Sequence, residues 1–332
     1  MRDINDFRFD GPFAGIIPSY VQYKRSCGYK VAEAELYRLR EIDRFFRDAG
    51  VSQPAITRDM YEKWAGVRNN ERPVNTSRRR TALSMFGKYL LSNGYTDVYI
   101  GDGCPGSFES DYVPYVFSKE EISQMFSVMD EKCVREPGYA NDAFRTMVSM
   151  YYCCGFRKSE VVSLHIKDVD LQAGKVTVLN GKNDVSRIVI VSDSLLSRMK
   201  EFYKTYHTGS HPEDFLFHGT KHKSRPFCKP TLYSMYHKLL KDAGVPDRPD
   251  GRIHRLHDLR HTFCVCALEQ MQQKGFDLYT SLPLLSTYLG HRHIRETEYY
   301  LRLVESRQDS VLEKTKEYMP GLFPEIGDAE NE

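Results

Sequence analysis

The chain has eight cysteines but no Cys-x-x-Cys pair. Cys153 and Cys154 are adjacent, and Cys264 and Cys266 stand two apart inside a helical pattern. Cys27, Cys104, Cys133 and Cys228 are isolated. That spacing writes neither a zinc ribbon nor a disulfide framework, so the thiols read as buried and reduced. No stretch approaches the roughly 18 apolar residues that a membrane helix needs. Met1 to Asp10 alternates charged and apolar residues and lacks the apolar core of a signal peptide. These absences point to a cytoplasmic protein with no membrane partner. There is no visible repeat and no low-complexity tract.

Net charge is also scarce, at +2, which by itself is a weak pull toward nucleic acid. Its distribution says more. Residues 1–105 carry 17 Lys and Arg against 13 Asp and Glu, and residues 106–304 carry 27 against 24. The tail, 305–332, carries 3 against 8. An acidic tail thus masks a basic body. Hydrophobic residues at 41% and charged residues at 28% are the balance of a chain able to bury a core.

The first hundred residues read as helices only. Phe13–Cys27 is expected as a first helix, broken or kinked near Pro18. In Val31–Ala49, Leu36, Leu39, Ile42, Phe45 and Phe46 fall at helical spacing, and Gly50 follows as a stop. Thr57 reads as the N-cap of a helix reaching about Val67, and Asn75–Asn93 as a fourth helix. Gly101 to Pro114 has the composition of a loop, which places an interdomain linker at 102–116. Ser118 with Glu121 is a capping box opening the next helix.

Beyond it, Val169–Leu171, Lys175–Leu179 and Arg187–Val191 read as short strands. Helices are expected over about 141–155, 193–207, 230–243, 258–274, 281–289, 293–302 and 305–318. The reading is an α-helical N-terminal bundle (1–101), the linker, and a mainly helical α+β domain with a small antiparallel sheet (117–304). A C-terminal helix and acidic tail follow (305–332).

Four blocks carry chemistry. In Gly155-Phe156-Arg157-Lys158-Ser159-Glu160, an arginine follows an apolar helix at a glycine break. Its planar fork suits a phosphate, with Glu160 to orient it; the plain alternative is a helix-end cap on the surface. Lys182 lies at the hairpin tip Asn180–Asp184, able to protonate a leaving oxygen or simply solvated. In His257-Asp258-Leu259-Arg260-His261, the imidazoles and guanidinium share one helix face. That group suits an oxyanion. Zinc is the rival, without a His-Glu-x-x-His pattern or an obvious third ligand. Finally, Leu289-Gly290-His291 is followed nine residues after the histidine by Tyr300, next to Tyr299. Taken singly, these residues also fit turns and amphipathic faces. In this order they form a complete kit for attack on a phosphodiester.

On these residues the chain resembles the tyrosine recombinases, the phage integrases and Xer-type enzymes, over about 118–304. The first hundred residues resemble the family's core-binding domain by pattern alone. The resemblance matches Arg157 to the first catalytic arginine, Lys182 to the hairpin lysine, and His257 and Arg260 to the His-x-x-Arg pair. His291 matches the later histidine, Tyr300 the nucleophile, and Glu160 a supporting acid. The nine-residue step selects Tyr300 over Tyr299, which points about 100° away on a helix.

The chemistry implied is transesterification. Tyr300 attacks phosphorus and forms a 3′-phosphotyrosine, and Arg157 and Arg260 neutralise the growing charge. His257 accepts the phenol proton, His291 donates to the phosphate, and Lys182 protonates the 5′ oxygen. No metal or cofactor is implied. The partners implied are a double-stranded DNA site and a homotetramer on two sites, working through a four-way Holliday junction. The two domains would close around the duplex, and the tail helix would dock on its own domain or on a neighbouring protomer. Arg78-Arg79-Arg80 is the expected DNA-binding patch of the first domain. The departures from a housekeeping Xer pattern tilt the reading toward a mobile-element enzyme. A type IB topoisomerase and a non-cutting DNA-binding member of the family stand as rivals.

Overall fold

The structure, a computed structural model, describes residues 3–101, 113–179, 185–219 and 222–307. The chain divides into two compact units, Met1–Tyr112 and Val113–Glu332.

The first unit is built from α1 (Ile17–Ser26), α2 (Glu33–Asp48), α3 (Arg58–Ala65) and α4 (Pro73–Ser92). Helix α1 starts at Ile17, not Phe13. Pro18 then sits in the first turn, where its missing N–H costs no hydrogen bond, so it opens the helix instead of kinking it. The apolar stripe of α2 buries Leu36, Leu39, Ile42 and Phe46 against Phe13, Ile17, Leu83 and Phe86. Asp43, on the same stripe, is fully buried. Its carboxylate accepts the backbone N–H groups of Asp10, Gly11 and Phe13 at 3.0, 2.8 and 2.9 Å, which ties the N-terminal segment to α2. Thr57 caps α3, its hydroxyl accepting from the Met60 N–H.

The second unit begins at once after the boundary. The Val113 carbonyl accepts from Arg248, and the Phe117 N–H donates to the buried Thr262 hydroxyl at 3.0 Å. Residues 113–116, expected in the linker, therefore pack with the second unit, while 102–112 lie outside the described residues. Its elements are α5 (Lys119–Arg135), α6 (Tyr139–Cys154), α7 (Lys158–Val162), a sheet, α8 (Asp193–Tyr206), α9 (Lys229–Asp242), α10 (Asp258–Gln273), α11 (Leu278–Leu289) and α12 (Arg295–Arg307). The Ser118–Glu121 capping box forms with both hydrogen bonds made. The sheet is antiparallel in the order β1 (Val169–Asp170), β2 (Lys175–Val178), β3 (Arg187–Ile190), with Val176 opposite Val189.

Helix α6 runs through the main core, burying Met147, Met150 and Tyr151 among residues of α5, α8 and the sheet. A second cluster joins Cys264, Val265 and Leu268 of α10 to Leu282, Leu285 and Leu289 of α11 and to Leu301 and Val304 of α12. No breaker separates 302 from 305, so α12 continues to Arg307 where two helices were expected. The tail from 308 lies outside the described residues. Of the thiols, Cys154 and Cys264 are buried as expected, but Cys27 and Cys228 are exposed. None of the described helices is long and apolar enough to cross a membrane.

Candidate active site

Two helix ends build the site. Helices α6 and α11 both stop at a glycine in the left-handed region, Gly155 (φ 62°) and Gly290 (φ 64°). A helix end leaves carbonyls without intrahelical partners, and arginines can cap them. Here three arginines do so. Arg260 donates to the carbonyls of Gly155 (2.6 Å) and Leu289 (3.0 Å). Arg157 donates to that of Gly290 (3.2 Å), and Arg187 to that of Tyr288 (2.9 Å). The glycine breaks thus hold the guanidinium groups at one place.

Around them lies an open cleft of about 430 Å³, lined by Arg157, His257, Arg260, His291 and Tyr300. All the sequence-predicted site residues of this unit except Lys182 and Glu160 reach it. Lys182 falls outside the described residues. Glu160 lies behind the cleft, buried, bonded to Arg157 at 3.0 Å and to Arg187 at 2.8 Å. Burial alone would raise its carboxyl, but the Arg187 and Arg157 groups overcome this and hold it at about 2, so it is ionised. Lys158 and Arg255 add positive charge to the cleft lining.

His291 bridges Arg260 (Nε2 to Nη2, 2.9 Å) and the fully buried Thr297 (Nδ1 to Oγ1, 2.8 Å). A guanidinium only donates, so Nε2 accepts and the neutral ring carries its proton on Nδ1, which donates to Thr297. Burial, reinforced by Arg260 and Arg157, lowers the His291 pKa to about 3 and keeps the ring neutral. In this arrangement its Nε2 is an acceptor, not the expected donor to a phosphate.

Tyr300 is 4% exposed and Tyr299 is 37% exposed. The two point apart, and it is the Tyr300 hydroxyl that reaches the cleft residues. Its hydrogen bond goes to His261 Nδ1 at 3.1 Å. His257, expected to take the phenol proton, is exposed and packs edge-on against His261, ring centres 4.7 Å apart. Sequence spacing had both histidines on one face but gave no sign of which meets the phenol. Burial pushes the Tyr300 phenol well above its usual range, with the Cys264 thiol adding to the effect. Burial, with His257, Arg255 and Arg260 nearby, holds His261 down at about 2.

These histidines make stability depend on pH. An unfolded histidine titrates near 6.5, above the folded values of His261 and His291. Between those limits the unfolded chain binds more protons. The contribution is full above pH 6.5 and shrinks as the pH falls toward the folded values. The melting temperature is expected to drop from about pH 7 to about pH 5, and to drop less in His261→Gln, which takes up no proton there. Parallel melting curves for the two proteins across that interval would contradict this.

Arg187 and Thr297 are site residues the sequence did not single out. In the sequence Arg187 reads only as the first residue of a strand. In the first unit, Arg79 turns inward: it is 4% exposed and bonds the carbonyls of Trp64 and Gly66 and the Glu71 carboxylate. Arg80 reaches the Ala65 carbonyl, which leaves Arg78 as the exposed member of the expected patch. Among the described residues, no three His, Cys, Asp or Glu side chains gather as metal ligands would.

Comparison with known proteins agrees with this architecture. The model of the phage integrase family matches residues 116–307. A tyrosine recombinase of Pseudothermotoga lettingae is 30% identical over 241 residues, 73% of this chain and 74% of that protein. Tyrosine recombinase XerC of Proteus mirabilis is 25% identical over 288 residues, 86% of this chain and 87% of that one. In fold, the chain is similar to the XerH site-specific recombinase, whose crystal structure is a post-cleavage complex with a palindromic difH substrate. The TM-score is 0.59 at 21% identity, covering 84% of this chain and 78% of that one. With its helix-end arginines, histidines and tyrosine on this fold, the chain belongs to the phage integrase family, the tyrosine recombinases.

Proposed function

We propose that this enzyme cuts and rejoins a specific duplex DNA site through a covalent bond between Tyr300 and a 3′ phosphate. The supporting observation is the convergence of Tyr300, Arg157, Arg260 and His291 on one basic cleft. In the proposed step, Tyr300 Oη bonds to phosphorus, and the bond from phosphorus to the 5′ oxygen breaks. The phenol proton leaves through the neighbouring imidazoles, His261 in contact and His257 beyond it. The 5′ oxygen gains a proton, a role assigned to Lys182 by resemblance. Arg157 and Arg260 stabilise the charge growing on the non-bridging oxygens. The phosphotyrosine stores the bond energy, so a second 5′-hydroxyl can reverse the step on another strand without a nucleotide cofactor.

Four such steps exchange strands between two sites by way of a Holliday junction, which calls for a tetramer. Cytoplasmic action and a mobile-element setting belong to the same proposal and rest on sequence pattern. In the first unit, Arg78 lines a groove with Lys24 and Arg38, and this face is proposed to meet the DNA backbone. Binding should accordingly weaken with salt.

The test uses a duplex carrying a site that the protein itself selects from a random-sequence library. A nick is placed just beyond the cut, so that the freed end diffuses away and the adduct accumulates. The adduct on a denaturing gel, formed in a chelator, should survive Tyr299→Phe and vanish with Tyr300→Phe. Loss with Tyr299→Phe alone would shift the nucleophile by one residue. No adduct on a bound site would leave a binding protein that does not cut.

A further inference from the structure

We propose that Arg187 is a positioning residue for Arg157: by pairing with both oxygens of Glu160, it leaves the charge of the Arg157 guanidinium uncompensated and directed at the cleft. The inference rests on the reading of Arg157 as a phosphate-binding group.

Arg187 opens β3 and sends its side chain to the glycine break of α11. Its Nη1 and Nη2 meet Oε1 and Oε2 of Glu160, each at 2.8 Å, and its Nε holds the Tyr288 carbonyl. The two charged side chains are 6% and 4% exposed. This fork-to-fork pair is the strongest geometry open to a carboxylate. The Arg157 guanidinium shares the same carboxylate through one bond, Nη1 to Oε1 at 3.0 Å, with Nη2 on the Gly290 carbonyl, while the Arg157 backbone N–H donates to Oε2 at 2.8 Å. One negative charge therefore sits between two positive ones, and the trio keeps one positive charge beside the cleft.

Without Arg187, Glu160 would have one cation in reach. A buried carboxylate closes on such a partner, because the attraction is weakly screened there. Arg157 would turn its fork from the cleft to Glu160, and the trio's surplus charge would be lost. The sequence carries a sign of this arrangement. A side chain at Gly290 would displace Arg187, because a Cβ would lie 2.9 Å from Arg187 Cδ. The glycine of the Gly-His block thus admits Arg187 as well as ending α11. A purely structural role, pinning β3 to α11, would not require the carboxylate to be shared with a residue of the cleft.

The two roles separate on a neutral substrate. In the nicked duplex, the scissile phosphate is replaced by a methylphosphonate, which is neutral before the attack and has one non-bridging oxygen instead of two to take up charge. Arg187→Met is expected to slow single-turnover cleavage of the normal phosphodiester by on the order of 10²-fold. On the methylphosphonate it should stay within about threefold of wild type, since only one non-bridging oxygen gains charge there and Arg260 can stabilise it without Arg157. Arg157→Ala should show the same selective rescue, and the double variant should be no slower than the slower single variant. Arg187→Lys keeps the charge without the fork. It is expected to give a smaller loss with the same rescue, and it carries the test should the methionine variant fail to fold. Equal loss on both substrates, or additive losses in the double variant, would overturn the inference. If Arg157→Ala is rescued and Arg187→Met is not, only the positioning role falls. If Arg157→Ala is not rescued either, the phosphate-binding reading of Arg157 falls, and the inference with it.

Discussion

Replacing Arg260 with methionine is expected to slow strand cleavage by on the order of 10³-fold while costing only about 1–2 kcal/mol of stability. The side chain is 1% exposed, and its partners are two helix-end carbonyls and the His291 ring instead of a carboxylate. Burial pulls its pKa down, a sign that holding the charge there is unfavourable. Methionine leaves two carbonyls without their donor, which destabilises, but it also removes a desolvated charge, which offsets much of that loss. Activity has no such offset, because the planar fork, held by His291, is the group proposed to bind the phosphate. Arg260→Lys should lose nearly as much, since an ammonium cannot span both carbonyls and a phosphate. Denaturant melts and single-turnover cleavage on the nicked duplex measure the two effects. A stability loss above about 4 kcal/mol with cleavage nearly intact would make Arg260 a structural clamp only.

Gly155→Ala should act in the opposite sense, with a large loss of stability from which the loss of activity follows. A Cβ at Gly155 would lie 2.5 Å from Phe263 Cδ1 and 3.2 Å from Leu289 Cδ2, on a backbone with φ of 62°. The left-handed backbone costs a non-glycine residue roughly 1–2 kcal/mol, and overpacking adds about 1–3 kcal/mol. Relief requires α10 to move away from α6, which would pull Arg260 from the Gly155 carbonyl. Gly290→Ala has a similar backbone angle but meets the flexible Arg187 side chain, so its stability loss should be the smaller of the two. Thermal melts of both variants decide this. The reverse order would mean that the α6–α10 contact is not what fixes the site.

The framework of the site was legible in the sequence because it depends on local rules. Glycines after apolar runs mark helix ends, the Ser118–Glu121 box marks a helix start, and the β-branched run Ile188–Val191 after Arg187 marks a strand. What could not be read depends on which way a helix face turns. His257 and His261 are four apart and equally placed on paper. Only the packing of α10 against α12 decides that His261 meets Tyr300. The same limit explains Arg79, which sits in a run of three arginines that looks like a basic patch. Trp64 and Glu71 draw its guanidinium inside. Arg187 was missed because its partner Glu160 lies 27 residues away on another element, and Thr297 because nothing in the six-residue step from His291 shows that the turn into α12 folds the hydroxyl back onto the ring. Pro18 was misplaced by a few residues, since proline fits a first turn as readily as it breaks a helix.

The most direct measurement identifies the residue that carries the DNA. The trapped adduct would be digested with nuclease and trypsin, and the modified peptide sequenced by mass spectrometry. Trypsin cuts after Arg295 and Arg302, so Tyr299 and Tyr300 fall in one peptide, Glu296–Arg302. The expected result is a nucleotide phosphate on Tyr300 in the wild-type protein, with no modified peptide from Tyr300→Phe. A modification on Tyr299, or on a residue outside α12, would contradict the proposed mechanism.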